Sequence, residues 1–366
     1  MHVSDHFGVL ADLDQSSAIA RAPEEWSSVT SLREPTFELL PLLSYDTDAG
    51  LGFGAKVFAL NFLKAEESFD LVLFGSTKGE RWGRFVFSIP DFELRQGKLY
   101  PFALDLAVDY DKWISYGFFG VGNRTRSEDR EHYTRTPLDV SLTASRGFTR
   151  HLVGQLGVRY LTVTNKDFEA GSRLRTLSPG ENRGRATATS FFLTMRTDTR
   201  DSYINPSRGM VAQCDLEVAP KTGLSNVGYA RVGAWGQGYC RPFLTRLVLA
   251  ARIGLQGLAG GDLPVQMLLP IGGNKTVRGL VQDRYLDRVS AVANLEMRFP
   301  VFWRFGGILG YDAGKVWHSF RELDLARWAT NPVAGLRFYM DTFVVRLDVG
   351  FGNETTGFYL NFGHIF

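Results

Sequence analysis

Arg278 lies in the glycine-rich segment Ile271-Gly272-Gly273-Asn274-Lys275-Thr276-Val277-Arg278-Gly279-Leu280, with Glu296 and Asp312 on two alternating segments further along the chain. A guanidinium carries a planar fork of donors, and one withdrawn from bulk water needs a carboxylate to receive them. Gly272, Gly273 and Gly279 let the segment bend sharply enough to bring such a group inward. The expected arrangement pairs Arg278 with Asp312 and places Glu296 in the same polar network. On the residues alone a second reading stands beside it, in which Arg278 is a solvated loop residue. Either role is structural rather than catalytic.

Enzymatic chemistry has little to build on. His132, His151, His318 and His364 fall on separate segments, and none has metal-ligand spacing to Cys214 or Cys240. There is no Gly-x-Ser-x-Gly elbow. A Ser-His pair of the kind outer-membrane lipases carry on their lipid face stays open by spacing, although the nearest serines read as ordinary loop residues. Gly117-Phe118-Phe119-Gly120-Val121-Gly122-Asn123 is glycine-rich but lacks the Lys-Ser/Thr ending of a phosphate loop, so it reads as strand-to-loop backbone. No catalytic residue, cofactor or metal is expected. A formal net charge of +2 without a Lys/Arg tract gives no reason to expect nucleic acid. Two cysteines are too few for a disulfide framework. If 209–219 and 226–238 form a hairpin, Cys214 faces a residue near Arg231, Cys240 lies several residues away, and both thiols are free.

The elements that must position the candidate network are strands. The 366 residues include 28 Phe, 13 Tyr, 7 Trp and 39 Gly, at a mean hydropathy of only -0.10. No apolar run approaches the length of a membrane-spanning helix, which excludes that class. Abundant aromatics and glycine at moderate hydropathy suit strands that show lipid on one side and water on the other. The chain ends on such a segment: Phe358, Leu360, Phe362, His364 and Phe366 share one face of 357–366. Phe366 is expected to face lipid at the periplasmic rim, with this strand closing the barrel against the first.

Sixteen strands are expected, near 36–45, 50–61, 68–77, 82–91, 101–110, 133–145, 150–163, 184–197, 208–219, 226–238, 243–256, 288–299, 303–313, 332–341, 342–351 and 357–366. The fold class is therefore all-β, a sixteen-stranded antiparallel barrel of the outer-membrane type with both termini periplasmic. Long connections at 110–132, 164–183, 257–287 and 314–331 alternate with short ones at 299–303 and Asp341-Thr342, as long extracellular loops alternate with short periplasmic turns. On 342–351, Phe343, Val345, Leu347, Val349 and Phe351 face lipid while Val344, Arg346, Asp348 and Gly350 face inward. On 288–299, Ala291, Ala293, Leu295, Met297 and Phe299 face out while Asn294, Glu296 and Arg298 face in. A charge on the lipid face costs about 2 to 4 kcal/mol at the midplane, which is why the partition is clean. Residues 1–35 read as a periplasmic lead-in in which Pro23-Glu24-Glu25-Trp26 opens a short helix. Met1 to His6 carry neither the basic leader nor the apolar core of a secretory signal, so an exported chain would have lost or exchanged its signal or be part of something longer.

With these segments in place, the chain resembles the bacterial surface antigen superfamily of outer-membrane barrels, which includes the BamA and TamA assembly factors and the two-partner secretion translocators. Ile271 to Leu280 resembles the family's sixth extracellular loop, whose Val-Arg-Gly-aromatic tip folds back into the lumen; Val277, Arg278 and Gly279 match, and Leu280 replaces the aromatic residue. Gly310-Tyr311-Asp312-Ala313-Gly314 resembles the inward-facing aspartate motif of the thirteenth strand. Asn294 to Pro300 resembles the twelfth, and Asn205-Pro206-Ser207-Arg208-Gly209 the turn before the ninth. The resemblance covers about 36–366 and favours the paired reading of Arg278.

The resemblance implies an insertase or polypeptide translocator that uses a weak seam between first and last strands, to which Gly350, Gly352, Gly357 and Gly363 would contribute. Residues 1–35 leave no room for the periplasmic transport-associated modules such proteins carry, so the expectation is either a barrel taken from a longer protein or a barrel-only member whose client handling uses a separate partner. Two other readings are a passive or selective pore, and a structural barrel subunit that anchors a complex. The partners expected are outer-membrane lipid and lipopolysaccharide, the assembly machinery during biogenesis, and a periplasmic protein partner or client. In proteins of this kind the terminal strand, here Phe358, Leu360, Phe362 and Phe366, is the signal that the machinery recognises.

Overall fold

The computed structural model describes residues 34–177, 184–242, 246–340 and 343–366. The expected lead-in helix and the Asp341-Thr342 junction lie outside the described residues. Alternation of apolar and polar residues gives β1 (Thr36–Asp46), β2 (Gly50–Leu60), β3 (Ser68–Ser76) and β4 (Arg81–Ile89), and then α1 (Phe92–Arg95). There follow β5 (Tyr100–Phe118), β6 (Glu131–Gly147), β7 (Leu152–Lys166), α2 (Arg173–Thr176), β8 (Arg185–Asp198), β9 (Gly209–Ala219), β10 (Tyr229–Cys240) and β11 (Val248–Ala259). The short β12 (Leu269–Ile271) and β13 (Tyr285–Asp287) pair only with each other. The chain continues through β14 (Val289–Phe302), β15 (Phe305–Trp317), β16 (Ala329–Tyr339), β17 (Val344–Phe351) and β18 (Thr356–Phe362).

All but β12 and β13 form one closed antiparallel barrel in which each strand neighbours the next in sequence and β18 returns to β1. That is the sixteen-stranded barrel expected from the sequence. Closure satisfies backbone groups that hydrocarbon would leave unpaired. Outward positions carry apolar side chains such as Phe53, Leu73, Phe191, Ile253 and Leu336, all exposed on the barrel wall. Inward positions carry polar groups that are buried and paired, as in Lys56 with Asp70 at 2.7 Å and Arg95 with Asp105 at 2.6 Å. On β17, Val344, Arg346, Asp348 and Gly350 are buried while Leu347 and Phe351 are exposed, the face assignment expected. On β14 the same holds for Asn294, Glu296 and Arg298 against Leu295.

Three expectations need correction. β5 runs on to Phe118 and β6 begins at Glu131, so much of the expected loop at 110–132 is strand. There Asp111, Lys112 and a register irregularity between Trp113 and Tyr116 interrupt the apolar alternation by which a strand is recognised. Cys214 faces Ala234 rather than the neighbourhood of Arg231, which faces Glu217. Both cysteines are free and exposed.

The third correction concerns the end of the chain. β18 stops at Phe362 because Gly363 takes a φ of 75°, a left-handed conformation that breaks the period of two. Phe358 does face outward, 47% exposed. His364, Ile365 and Phe366 turn inward instead of continuing on the lipid face. Phe366 is buried against Tyr239, Ala250 and Ile365, with the Arg252 and Arg298 guanidiniums 5.4 and 5.3 Å from its ring. An aromatic ring satisfies these cations where a lipid-facing position would offer only dispersion.

Candidate functional site

The connection between β11 and β14 is held in shape by backbone and hydroxyl bonds. Thr276 accepts from the Gly272 amide at 2.8 Å and donates to the Gly272 carbonyl at 2.9 Å, while the Gly273 amide donates to the Leu280 carbonyl at 3.1 Å. Val277 and Leu280 are buried within it. The resulting bend presents Arg278, fully buried at 0% exposure, to the inward side chains of β14, β15 and β17.

Asp312 on β15 takes three of its bonds, from the Arg278 amide at 3.0 Å, Nε at 2.8 Å and Nη2 at 2.9 Å. Nη1 reaches Glu296 on β14 at 2.8 Å and Asp348 on β17 at 2.9 Å. The backbone carbonyl of Arg278 accepts from Asn331 on β16 at 2.9 Å. Asn294 donates to the Thr276 carbonyl at 2.7 Å and to Asp312 at 2.8 Å. One residue of the connection is thereby bonded to four consecutive barrel strands.

Three carboxylates around one guanidinium would repel one another, and further arginines offset this. Arg298 donates to Glu296 at 2.9 Å, Arg337 is paired with both Asp348 and Glu296, and Arg346 lies 3.3 Å from Asp348. Desolvated charges persist only with such compensation. Asp348 and Arg337 were not among the candidates read from sequence. The signal was present, since Asp348 falls on the inward face assigned to 342–351, but strand pairing is needed to bring β17 beside β15 through β16.

Glycines set the distance of closest approach. Gly279 has a φ of 89°, and a Cβ there would lie 2.7 Å from the Gly350 carbonyl carbon. A Cβ on Gly350 would lie 2.4 Å from the Arg278 carbonyl carbon, and one on Gly352 2.2 Å from the Gly279 oxygen. The Gly279 amide donates to the Tyr359 hydroxyl of β18 at 3.0 Å. Gly350 and Gly352, expected to weaken the seam, make room for the backbone of the Arg278 segment.

A second arginine of the same connection acts at the end of the barrel away from Phe366. Arg284 donates to Glu354 at 2.5 and 2.7 Å and to Thr125 at 2.8 and 2.7 Å. Its guanidinium lies 4.7 Å from the Phe119 ring and 4.4 Å from that of Tyr285. Arg284 therefore ties together the connections after β5, β11 and β17. Asn123, from the glycine-rich segment read as strand-to-loop backbone, accepts from the Val316 amide at 3.0 Å. The turn between β1 and β2 joins from the other side, with Asp46 accepting from Asn274 at 2.6 Å and Asp48 from the Gln282 amide at 2.7 Å.

The turn before β9 is likewise closed by side chains. Asp201 accepts from the amides of Ser207 at 2.8 Å and Arg208 at 3.1 Å. The four histidines singled out in the sequence remain apart, and among the described residues no three His, Cys, Asp or Glu side chains gather as metal ligands.

A model of the Omp85 superfamily domain matches residues 61–366. No curated protein matches the chain. Among solved structures, BamA from Haemophilus ducreyi lacking POTRA domains 1-3 is similar with a TM-score of 0.66 at 15% identity, over 90% of this chain and 70% of that one. CdiB from Escherichia coli is similar with a TM-score of 0.62 at 13% identity, over 93% of this chain and 63% of that one. CdiB from Acinetobacter baumannii has a TM-score of 0.51 at 14% identity, over 90% and 66%. The chain thus spans less than two thirds of the length of either CdiB.

Proposed function

The chain belongs to the Omp85 superfamily and is a β-barrel of the outer membrane; from that premise we propose that it is an insertase or translocator that handles polypeptides at the seam between β1 and β18. The observation that carries this reading is the shortness of that seam. β1 pairs with β2 over eleven residue pairs, from Thr36↔Leu60 to Asp46↔Gly50, but with β18 over two, Tyr45↔Leu360 and Asp46↔Tyr359. Above them, Thr47 donates to the Phe358 carbonyl at 3.2 Å and Phe358 to the Thr47 hydroxyl at 2.7 Å. Below them, β18 turns inward at Gly363, and among the described residues Thr36 to Ser44 have no strand partner on that side in the register.

An unpaired strand edge at membrane depth is unfavourable and is a template for an added strand. A client segment pairing with the periplasmic half of β1 would relieve it. The role of the Arg278 segment in this reading is to act as the sixth extracellular loop folded into the lumen, bracing β14 to β17 as one rigid wall while the β1 side moves. The terminal strand bearing Phe358, Leu360 and Phe362 would be both the movable edge and the signal read by the assembly machinery. Lipopolysaccharide, a periplasmic partner and the machinery itself are the contacts this role calls for, and no step of it is enzymatic.

The test is a planar-bilayer recording on the purified chain with Tyr45→Cys and Leu360→Cys joined as a disulfide, in a Cys214→Ser, Cys240→Ser background. Small flickering conductance that disappears on locking and returns on reduction supports the reading. A large, steady conductance that is indifferent to the lock contradicts it and makes the barrel a pore.

A further inference from the structure

At the periplasmic mouth, the connection after β4 sets α1 against the turns that join β6 to β7 and β8 to β9, and a cleft of about 80 Å³ opens between them. The cleft has room for a carboxylate and the carbon that bears it. It lies on the inner side of the wall, since Val153 and Gln155 line it and fall on the inward period of β7 with Arg159. A bilayer headgroup outside the barrel does not reach that side.

The charges of the cleft are unbalanced. Arg95, Lys98, Arg150, Arg196 and Arg200 line it, and Asp198 is the acidic residue among the lining side chains. Asp198 is shared, 3.2 Å from Arg196 and 2.8 Å from Arg200. Arg95, 6% exposed, forms the floor. Its Nη2 pairs with Asp105 at 2.6 Å, but Nη1 is buried without a hydrogen-bond partner. The Phe92 and Tyr100 rings lie 5.4 and 5.8 Å from that guanidinium and shield it from water. A buried donor without an acceptor is costly and projects positive potential into the space beside it.

The lining also offers apolar surface, with Phe92, Val153 and Tyr203 standing next to the cations and Gln96, His151 and Gln155. An inorganic anion would use the charges and waste these surfaces. We propose that the cleft binds an acidic side chain of an extended polypeptide segment, with an adjacent apolar or aromatic residue against Phe92 and Tyr203. Arg196, Lys98 and Arg150 supply the direct contacts, and Arg95 supplies the field beneath them. The inference deepens the polypeptide-handling reading by placing a first contact for the client inside the periplasmic mouth, away from the seam.

The test uses the full chain in phosphatidylcholine nanodiscs and a rhodamine-labelled heptapeptide alternating Phe and Asp, read by fluorescence anisotropy. The control peptide has Asn in place of Asp. The acidic peptide is expected to bind about tenfold tighter than the control, and the doubly reversed variant Lys98→Glu, Arg150→Glu to abolish that preference. Both residues are exposed, so the variant leaves the barrel intact, and heat-modifiable migration verifies this. Equal binding of the two peptides, or an unchanged preference in the variant, overturns the proposal. Complete displacement of the peptide by millimolar inorganic phosphate also overturns it, by showing a small-anion site. Because no transport step is read, failure here leaves the seam reading standing, and failure at the seam leaves the cleft standing.

Discussion

Arg278 concentrates the structural argument in one side chain. Its removal would leave Asp312, Glu296 and Asp348 buried without the guanidinium that joins them. Breaking one side of a buried pair costs about 3 to 5 kcal/mol, and water entering the lumen reduces that figure. Arg278→Ala is therefore expected to expose the connection around it to protease while the barrel still forms. Arg278→Lys should behave almost as badly, because an ammonium cannot make the fork that meets Asp312 at two oxygens. Wild-type cleavage rates in both variants would contradict the role. Phe366 offers a second test. Deletion or Phe366→Ala removes a ring packed against Tyr239 and Ala250, worth about 1.5 to 3 kcal/mol by area. A further loss of membrane-inserted barrel beyond what Phe366→Leu shows would mark a signal role, and equal yields of all variants would deny it.

At the scale of elements, close approach makes the sharpest prediction. Gly350→Val puts a side chain where the Arg278 backbone passes, so it should expel the segment, speed its proteolysis and raise the conductance. Gly357→Val, whose Cβ would meet the Tyr359 ring at the top of β18, should disturb the seam and leave the Arg278 segment protected. Titration gives another. Glu80, in the turn between β3 and β4, is pushed up to about 8 by burial and by Asp111 and Asp46, with Lys275 pulling it down. A carboxyl raised in the folded state stabilises it while protonated and loses that contribution as pH rises from the ordinary carboxylate range through the folded value. The thermal midpoint should fall between about pH 5 and pH 9 and flatten in Glu80→Gln. An identical slope in the variant would assign the pH dependence elsewhere.

The strand plan was legible from alternation because lipid and lumen impose opposite demands on neighbouring residues, as Leu347 beside Asp348 shows. Charge type and glycine spacing left Arg278 either paired with Asp312 or solvated, and the family resemblance of the Val277-Arg278-Gly279 segment favoured the pair. Asp348 and Arg337 were not legible, because their proximity to Arg278 comes from register across three strands. The inward turn of Phe366 was hidden for a similar reason: Gly363 reads as one more alternating residue until its backbone angle is known. The last part of β5 escaped notice because Asp111, Lys112 and the irregularity between Trp113 and Tyr116 break the apolar alternation there.

The whole molecule combines a wall from β14 to β17 braced by Arg278 with an edge at β1 that pairs with β18 over only two residue pairs. The most direct measurement reconstitutes the chain in liposomes and follows insertion of a urea-unfolded outer-membrane barrel by its heat-modifiable band, with the Tyr45→Cys, Leu360→Cys disulfide formed and then reduced. The account predicts that insertion above the empty-liposome rate is lost in the locked state and restored on reduction. Insertion at the same rate in both states would contradict it.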